Sequence, residues 1–411
     1  MIRKNCCLLI INVFCLCFLF VSCNPRSGDI LQKELLFELR YGKTEDQMNI
    51  FPEPGQNSLL KDRILMENGL FYISNGQSQK IMEFNSYGDI IYLYFNNLTN
   101  PEPVLLQVNE QDSVSSTRNV YHYPFIDIGE IGLTRSRMLL ADDRIVENRI
   151  EHDRELGVLL DRIILQFDSR GNFLDYLGQE GPGGTPFPLI DKIRVTDNDE
   201  IVIFTVNPRG WRIFWFSPEG KPLFTRDIFD DSLPFPSKLV KDSGYYTLET
   251  IDCSNTERLL YIKADYFIDY TNVLETERTG TGFSSSQIIT LDVEKNAFIN
   301  LLEIPGYIQT ETRPGNLNQE NRDLIYEFVG LTGKGTFFLM CLNGVNAYNL
   351  MIVDQEGRVY LRRNIVLGNE HLNFKEFNIS NNGILTALIS WEDRVEVSWW
   401  RTDTFLTKEE Q

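Results

Sequence analysis

RIILQFDSRGNFLDYLGQEGPGGTPFPLIDKIRVTDNDEIVIFTVNPRGWRIFWFSPEGKPLF, residues 162–224, contains one short pattern twice, 49 residues apart. The first copy runs from Phe167 to Gly171 and the second from Phe216 to Gly220. Each begins with the apolar end of a strand, continues with a turn-opening Asp or Ser, and has a glycine four residues after the apolar residue. The opener's side chain caps a type I turn and the glycine takes the left-handed conformation. Both copies therefore predict strand-turn-strand hairpins.

Two further copies of this hairpin lie elsewhere in the chain, at Phe84–Gly88 and Val353–Gly357. The best-preserved unit, residues 63–95, has two more hairpin signals and contains four strands of five to seven residues. Repeats of a four-stranded unit with a period of about 40–50 residues are typical of propellers and solenoids.

Apolar strands favour the propeller. Ile201–Phe204 and Trp211–Phe216 are apolar on both faces, and a strand of that kind needs a packed neighbour above and below it. Radially arranged blades provide both neighbours. The same argument places most tryptophans in the core rather than on a sugar-stacking surface; they are Trp211, Trp215, Trp391, Trp399 and Trp400.

The predicted domain is an all-β, six-bladed β-propeller of four-stranded antiparallel blades over residues 35–403, followed by a tail, 404–411. The last unit lacks an outer strand, which residues 35–39 would supply, closing the ring. The blades are placed at 63–96, 124–177, 188–228, 237–303, 322–365 and 374–402 with 35–41, separated or interrupted by polar inserts at 97–120, 142–158, 269–286 and 305–321. Four strand-like stretches in 237–303 leave seven blades as the alternative.

The repeat pattern, with its LGQEG and PFP segments after the first hairpin of residues 162–224, resembles bacterial NHL-type (TolB-like) six-bladed β-propellers. More narrowly, it is similar to propeller lipoproteins of the spirochaete envelope. The resemblance implies a fold and a scaffold role, and it implies no reaction.

The amino terminus has the layout of a secretory signal peptide over residues 1–22. Arg3 and Lys4 precede an apolar run that reaches Val21. Residues 19–23, LFVSC, resemble the lipobox of bacterial lipoproteins. This resemblance implies a lipidated Cys23, a tether over residues 23–34, and a domain exported and anchored to a bacterial membrane. The periplasmic or surface side stays open, and a plain secretory signal or an uncleaved anchor is the alternative.

The formal net charge is −19. Such an anionic surface argues against nucleic acid as a partner and for membrane attachment through lipid rather than basic patches. Beyond the first 23 residues the thiols are Cys253 and Cys341, both in apolar, strand-like contexts. A disulfide and two buried free thiols both remain open at this stage.

The Gly/Pro stretch that follows Leu177 is the best candidate for part of a binding face. Its glycines could present amides to an anion, but no lysine follows at P-loop spacing. It is therefore predicted mainly as a blade-to-blade crossover. The candidate residues are Gly178, Gln179, Glu180, Gly181, Gly183, Gly184 and Phe187.

No metal, cofactor or catalytic residue is predicted. His122, His152 and His371 lie in different units, whereas zinc or iron sites need converging ligands. The acidic stretches 197–200, 142–143 and 230–231 are interpreted as solvated turns rather than calcium sites.

Three functions follow in order of preference. The first is a lipid-anchored, non-catalytic scaffold that binds an envelope protein. The second is a glycan- or solute-binding propeller, and the third a carboxylate- or calcium-dependent hydrolase or lyase.

Overall fold

The structure is a computed structural model that describes residues 30–51, 61–106, 119–229, 231–236, 244–271, 278–311 and 320–406. The predicted signal peptide, residues 1–22, and Cys23 lie outside these residues. Within the described part of the chain, helices are too short or too polar to cross a membrane.

Six antiparallel sheets form the blades of a β-propeller, as the sequence predicts. Each blade is built from four strands that follow one another in sequence, except for the last. Blade 1 consists of Asp62–Glu67, Leu70–Asn75, Lys80–Phe84 and Ile90–Phe95. Blade 2 consists of Ile131–Leu133, Leu139–Arg144, Arg162–Phe167 and Phe173–Gly178. Blade 3 consists of Ile190–Val195, Ile201–Asn207, Gly210–Phe216 and Pro222–Phe229.

Blades 4 to 6 repeat this arrangement. Blade 4 consists of Gly244–Cys253, Leu259–Thr271, Arg278–Asp292 and Ala297–Ile304. Blade 5 consists of Glu327–Leu331, Phe337–Gly344, Ala347–Val353 and Val359–Val366. Blade 6 consists of Phe374–Ile379, Leu385–Ser390, Arg394–Trp400 and Glu34–Tyr41. Small elements decorate the blades: strands Gln47–Met48, Asn119–His122 and Gly181–Pro182, hairpins Glu151–Asp153 with Val158–Leu160 and Tyr307–Glu311 with Glu320–Leu324, 3-10 turns Gly76–Ser78 and Glu147–Arg149, and helix Asp403–Leu406.

The ring closes as predicted. Glu34–Tyr41, which precedes blade 1 in the chain, is the outer strand of blade 6 and pairs antiparallel with Arg394–Trp400. Phe37 lies opposite Val397 and Leu39 opposite Val395, so the two ends of the domain are joined by backbone hydrogen bonds.

Blade 4 resolves the choice between six and seven blades. The segment predicted as a polar insert, 269–286, instead contains extensions of the two central strands, which pair from Leu259 opposite Asp292 to Thr271 opposite Arg278. The four strand-like stretches therefore belong to one sheet. Residues 278–286, RTGTGFSSS, are mostly polar or glycine, so this part of the strand gave the same sequence signal as a loop.

The hydrophobic core consists of six clusters, one in each seam between neighbouring blades. This is why the middle strands are apolar on both faces: in blade 3, Ile203 faces blade 2 while Val202 and Phe204 face blade 4. Trp215, Trp391 and Trp400 are fully buried in these seams, which confirms their predicted packing role.

The four predicted turn glycines, Gly88, Gly171, Gly220 and Gly357, all have φ between 77° and 88°. In each turn the opener's side chain accepts two backbone N–H groups. The Oδ1 atom of Asp168, for example, lies 2.9 Å from the nitrogen of Arg170 and 2.8 Å from that of Asn172. The turn chemistry read from the sequence is therefore confirmed.

Candidate functional site

The predicted binding loop, residues 178–187, is folded back on itself. Gly181–Pro182 pairs with the end of blade 2's outer strand. The amide nitrogens of Gln179, Gly183 and Gly184 donate to carbonyls of Thr185, Tyr176 and Gly181, respectively, at 2.8–3.0 Å. These three amides are thus already engaged and do not form an anion cradle.

The side chains of this loop also bond within it. Glu180 Oε2 accepts the amide of Thr185 at 2.8 Å, and Gln179 Nε2 donates to the carbonyl of Pro186 at 2.7 Å. Phe187 is fully buried in the seam between blades 2 and 3. A Cβ on Gly178 would come within 2.4 Å of the Gly184 carbonyl oxygen, so a tight structural crossover accounts for this sequence.

Other acidic candidates separate into two groups. Asp197–Asp199 lies in the predicted hairpin turn between the first two strands of blade 3. Glu200 differs from a solvated turn residue, because it is buried and its Oε2 accepts the indole N–H of Trp215 at 2.6 Å. Among the described residues, no group of three or more His, Cys, Asp and Glu side chains is placed to hold a metal ion.

Asp142 and Asp143 are not a solvated turn; that prediction is wrong. Both are buried in the second strand of blade 2. Asp142 accepts Nε of Arg162 at 2.8 Å, and Asp143 accepts the amide of Asp127 at 2.6 Å. Burial raises the pKa of Asp143 to about 7, although its backbone hydrogen bonds oppose this shift. Of the pair 230–231, Asp230 lies outside the described residues, and Asp231 is exposed.

The sequence interpretation missed a cluster of charged side chains in the central channel, which the inner strands of the blades line. Arg63 of blade 1 is its centre: its Nε atom lies 2.6 Å from Oε1 of Glu130, next to blade 2, and 3.6 Å from Oε1 of Glu376 in blade 6. One guanidinium therefore faces two carboxyl groups that come from different blades.

A second ionic group completes the cluster. The fully buried Asp252 of blade 4 binds Arg194 of blade 3 through two hydrogen bonds of 2.7 and 2.9 Å, and Lys192 Nζ lies 3.2 Å from the same carboxylate. These two cations hold the pKa of Asp252 well below its usual range in spite of its burial. Two positive charges thus share one carboxylate.

The electrostatics of Glu376 are unusual for a carboxyl group. Burial raises its pKa to about 7, while Arg63 and Lys192 lower it and Glu130 raises it further. The Glu376 side chain nevertheless has a relative solvent exposure of 29%, so it is accessible from the channel. Burial also raises the pKa of Glu130 in spite of Arg63.

The channel continues into a wide funnel. A cavity of about 170 Å³ reaches from Arg63, Glu130, Lys192 and Glu376 to Asn381, where a funnel of about 1210 Å³ begins. The funnel is lined mainly by hydrogen-bonding groups from the turns that join the first and second strands of the blades, and from the turn that joins the third and fourth strands of blade 5. Its charged side chains include Arg135, Arg137, Lys334, Arg358, Asp197 and Asp354.

One sequence signal could have located the cluster. In blade 3, residues 192–195 of the first strand alternate charged with apolar, whereas the second and third strands, Ile201–Asn207 and Gly210–Phe216, are mainly apolar. Alternating side chains of an innermost strand point alternately into a seam and towards the axis. The axis-facing positions are those of Lys192 and Arg194 in blade 3 and Arg63 in blade 1.

The chain is similar to solved structures at low sequence identity. No family model matches the sequence, and no curated protein is significantly similar to it. A gluconolactonase from Xanthomonas campestris is 11% identical, with a TM-score of 0.37 over 80% of this chain and 81% of that chain. Regucalcin, a calcium-binding protein from Agrobacterium tumefaciens strain C58, is 11% identical, with a TM-score of 0.39 over 90% and 94% of the two chains.

A third similar structure is an ulvan lyase, a polysaccharide lyase of family PL25 with a bound saccharide. It is 9% identical, with a TM-score of 0.38 over 89% of this chain and 95% of that chain. Such likeness concerns the fold alone. The prediction that this chain is not an enzyme is contradicted: a gluconolactonase and a polysaccharide lyase are among the solved structures that are similar to it.

Proposed function

We propose that this propeller is a carbohydrate-directed enzyme of the hydrolase or lyase class, with its reaction centre in the charged channel. The observation that carries this proposal is the convergence of Glu130 and Glu376 on Arg63 at the base of a polar funnel. Three blades contribute one ionisable side chain each to one accessible space.

Glu376 is the proton-transfer residue of the proposal. A carboxyl group with a pKa of about 7 can donate or accept a proton at neutral pH, the property that general acid-base catalysis requires. Arg63 supplies a fixed positive charge beside it, which stabilises negative charge developing on a reacting oxygen. Glu130, bonded to Arg63 at 2.6 Å, positions the guanidinium.

The funnel suits a ligand rich in hydroxyl groups. It combines hydroxyl, amide and charged side chains such as Thr332, Asn382 and Arg358 with few large apolar ones. Its volume accommodates several sugar units, whereas the narrower channel has room for no more than the end of a chain. We therefore infer that a terminal unit reaches Glu376 while the rest of the ligand occupies the funnel.

The test uses the purified domain and panels of neutral, uronate-containing and sulfated oligosaccharides. Hydrolysis is followed by new reducing ends, and lysis by the ultraviolet absorbance of an unsaturated uronate. For the panel member that is cleaved, Glu376→Gln should lower kcat/KM by about 10²–10⁴-fold. Glu392→Gln, in an exposed turn, is the matched control. Absence of cleavage across the panels, or full activity of Glu376→Gln, would contradict the proposal.

We also propose that Cys23 carries a lipid and anchors the domain to a bacterial membrane. The support is the lipobox-like LFVSC segment. The described chain begins nearby, at Ile30 and Leu31, and the Leu31 amide donates to Asn364 of blade 5. Palmitate labelling of the wild type and of Cys23→Ala tests the anchor. Unchanged labelling and membrane association in the variant would contradict it. A protein partner in the envelope stays a prediction, and crosslinking in native membranes would test it.

A further inference from the structure

The charges of the channel are unevenly distributed between its two ionic groups. On the Arg63 side, Glu130 and Glu376 both lie within 4 Å of the guanidinium, and Lys61 Nζ lies 3.8 Å from Glu130. On the blade 3 side, Lys192 and Arg194 share the single carboxylate of Asp252. Because Arg194 occupies both oxygens of this carboxylate, the positive charge of Lys192 is the less compensated one.

Lys192 is also accessible. The Lys192 side chain has a relative solvent exposure of 20%, whereas the side chain of Asp252 is fully buried. The ammonium is held by the Ile251 carbonyl at 3.1 Å and the Asp252 carboxylate at 3.2 Å, which leaves one of its three protons for another acceptor. Lys192 and Glu376 both line the cavity of about 170 Å³, and Lys192 favours the ionised form of Glu376 electrostatically.

We propose that Lys192, together with Arg63 of the same cavity, binds an acidic group of the ligand, a carboxylate or a sulfate, and that Glu376 takes up a proton when this group binds. This inference rests on the proposed function and adds the substrate class: an acidic sugar. Neutral sugars lack the charge that Lys192 would compensate.

The proton uptake follows from like-charge repulsion. The charged groups that act on Glu376 are Arg63, Glu130, Lys192 and Asp62. A bound anion adds a further negative charge near Glu376. It also pairs with Lys192 and Arg63, whose positive charges otherwise favour the ionised carboxylate of Glu376. Both effects favour the neutral form of Glu376. The proton comes from solvent and ends on a Glu376 carboxyl oxygen, where it is available to a leaving group.

The experiment is calorimetry with methyl galacturonoside, its neutral counterpart methyl galactoside, and inorganic sulfate. Each titration is run at pH 7.5 in two buffers of different ionisation enthalpy, which reports the protons taken up. We expect the acidic sugar to bind the wild type about tenfold more tightly than the neutral one, with net proton uptake. Lys192→Met should lose that preference and Lys192→Arg should keep it. Glu376→Gln should bind the acidic sugar without proton uptake.

The outcomes separate this inference from the proposed function. Equal binding of both sugars, or an undiminished preference in a folded Lys192→Met variant, overturns the acidic site even if sugars are cleaved. Proton-coupled sulfate binding that requires Lys192 supports the site even if no oligosaccharide is cleaved, in which case only the proposed function fails. Binding of the acidic sugar to the wild type without proton uptake overturns the role given to Glu376.

Discussion

Asn255 of blade 4 and Asn381 of blade 6 are joined by a side-chain hydrogen bond, with 2.6 Å between Nδ2 and Oδ1. Both residues line the channel cavity, which meets the funnel at Asn381. Backbone hydrogen bonds from Asp197 to Asn255 and from Gly333 to Asn381 tie the adjoining turns of blades 3 and 5 into the same network. Four blades are thus connected at the point where the funnel meets the channel.

Asn381→Ala is expected to lower the free energy of unfolding by about 1 kcal/mol, because it leaves the buried amide of Asn255 without this partner. Urea unfolding of the two single variants and the double variant forms a double-mutant cycle. The second substitution should cost little once the first is present. Strictly additive losses would show that the two side chains do not interact in solution.

Gly171→Ala is expected to destabilise the domain by about 1–3 kcal/mol. The residue has a φ of 82°, and an added Cβ would lie 2.1 Å from the ring of Tyr121. Gly157→Ala is the matched control, since its φ is 69° but its Cβ position is open. It should show only the backbone cost of about 1–2 kcal/mol. Equal thermal unfolding of both variants would argue against the contact with Tyr121.

Asp62 should make stability fall as the pH rises from about 4 to 6. Burial raises its pKa from 3.8 to about 6 in the folded state, so the folded chain binds this proton more tightly than the unfolded chain. Its contribution is complete below about pH 4 and is lost as the pH rises through 6. The loss is on the order of 1–3 kcal/mol.

The measurement is the free energy of urea unfolding of the wild type and of Asp62→Asn at several pH values in this range. The wild-type value minus the variant value should decrease as the pH rises. Asp168→Asn serves as a control of opposite sign, because hydrogen bonds with Asn172 lower the pKa of Asp168. A constant difference for Asp62→Asn would contradict the raised pKa.

Glu376 should titrate near neutral pH, and Arg63→Met should raise its pKa further, because the guanidinium favours the ionised carboxylate. Carbon-13 NMR of labelled glutamate side chains gives both values, with Glu376→Gln to assign the signal. Arg63→Lys retains the charge and should change the pKa less. A wild-type value near that of ordinary glutamate would remove Glu376 as the proton donor at neutral pH.

Cys253 and Cys341 are free, buried thiols. Burial raises the pKa of Cys341 to about 11 and that of Cys253 further, and the thiolate is the reactive form. Iodoacetamide should therefore modify neither residue in the native domain and both in urea, as measured by mass spectrometry. Rapid native labelling at either site would contradict the buried placement.

The sequence predicted the parts of this fold that depend on local chemistry. The turn at Asp168–Gly171 bonds within itself, and the two-sided apolar strand Ile201–Asn207 requires neighbours wherever it lies. The closing strand followed from an outer strand missing in the last unit. Each of these inferences needs only a residue's neighbours along the chain or a count of strands.

The site could not be predicted in the same way. Arg63 and Glu376 come from opposite ends of the chain and meet only because the ring closes. Asp142 was predicted to be exposed because a pair of aspartates usually is. Its burial depends on Arg162, which lies 20 residues further along the chain. Burial of a charge is decided by its partner, and the partner is a property of the assembled blades.

Ring closure also fixes an order of events during biosynthesis. Glu34–Tyr41 is made before Arg394–Trp400, the strand with which it pairs. Until then, Phe37 and Leu39 lack the seam formed by Val395 and Val397, and an unpaired strand edge is open to other chains. The ring can therefore close only after residues 394–400 have been made, and products truncated before residue 394 would remain open rings, exposed to proteases and aggregation.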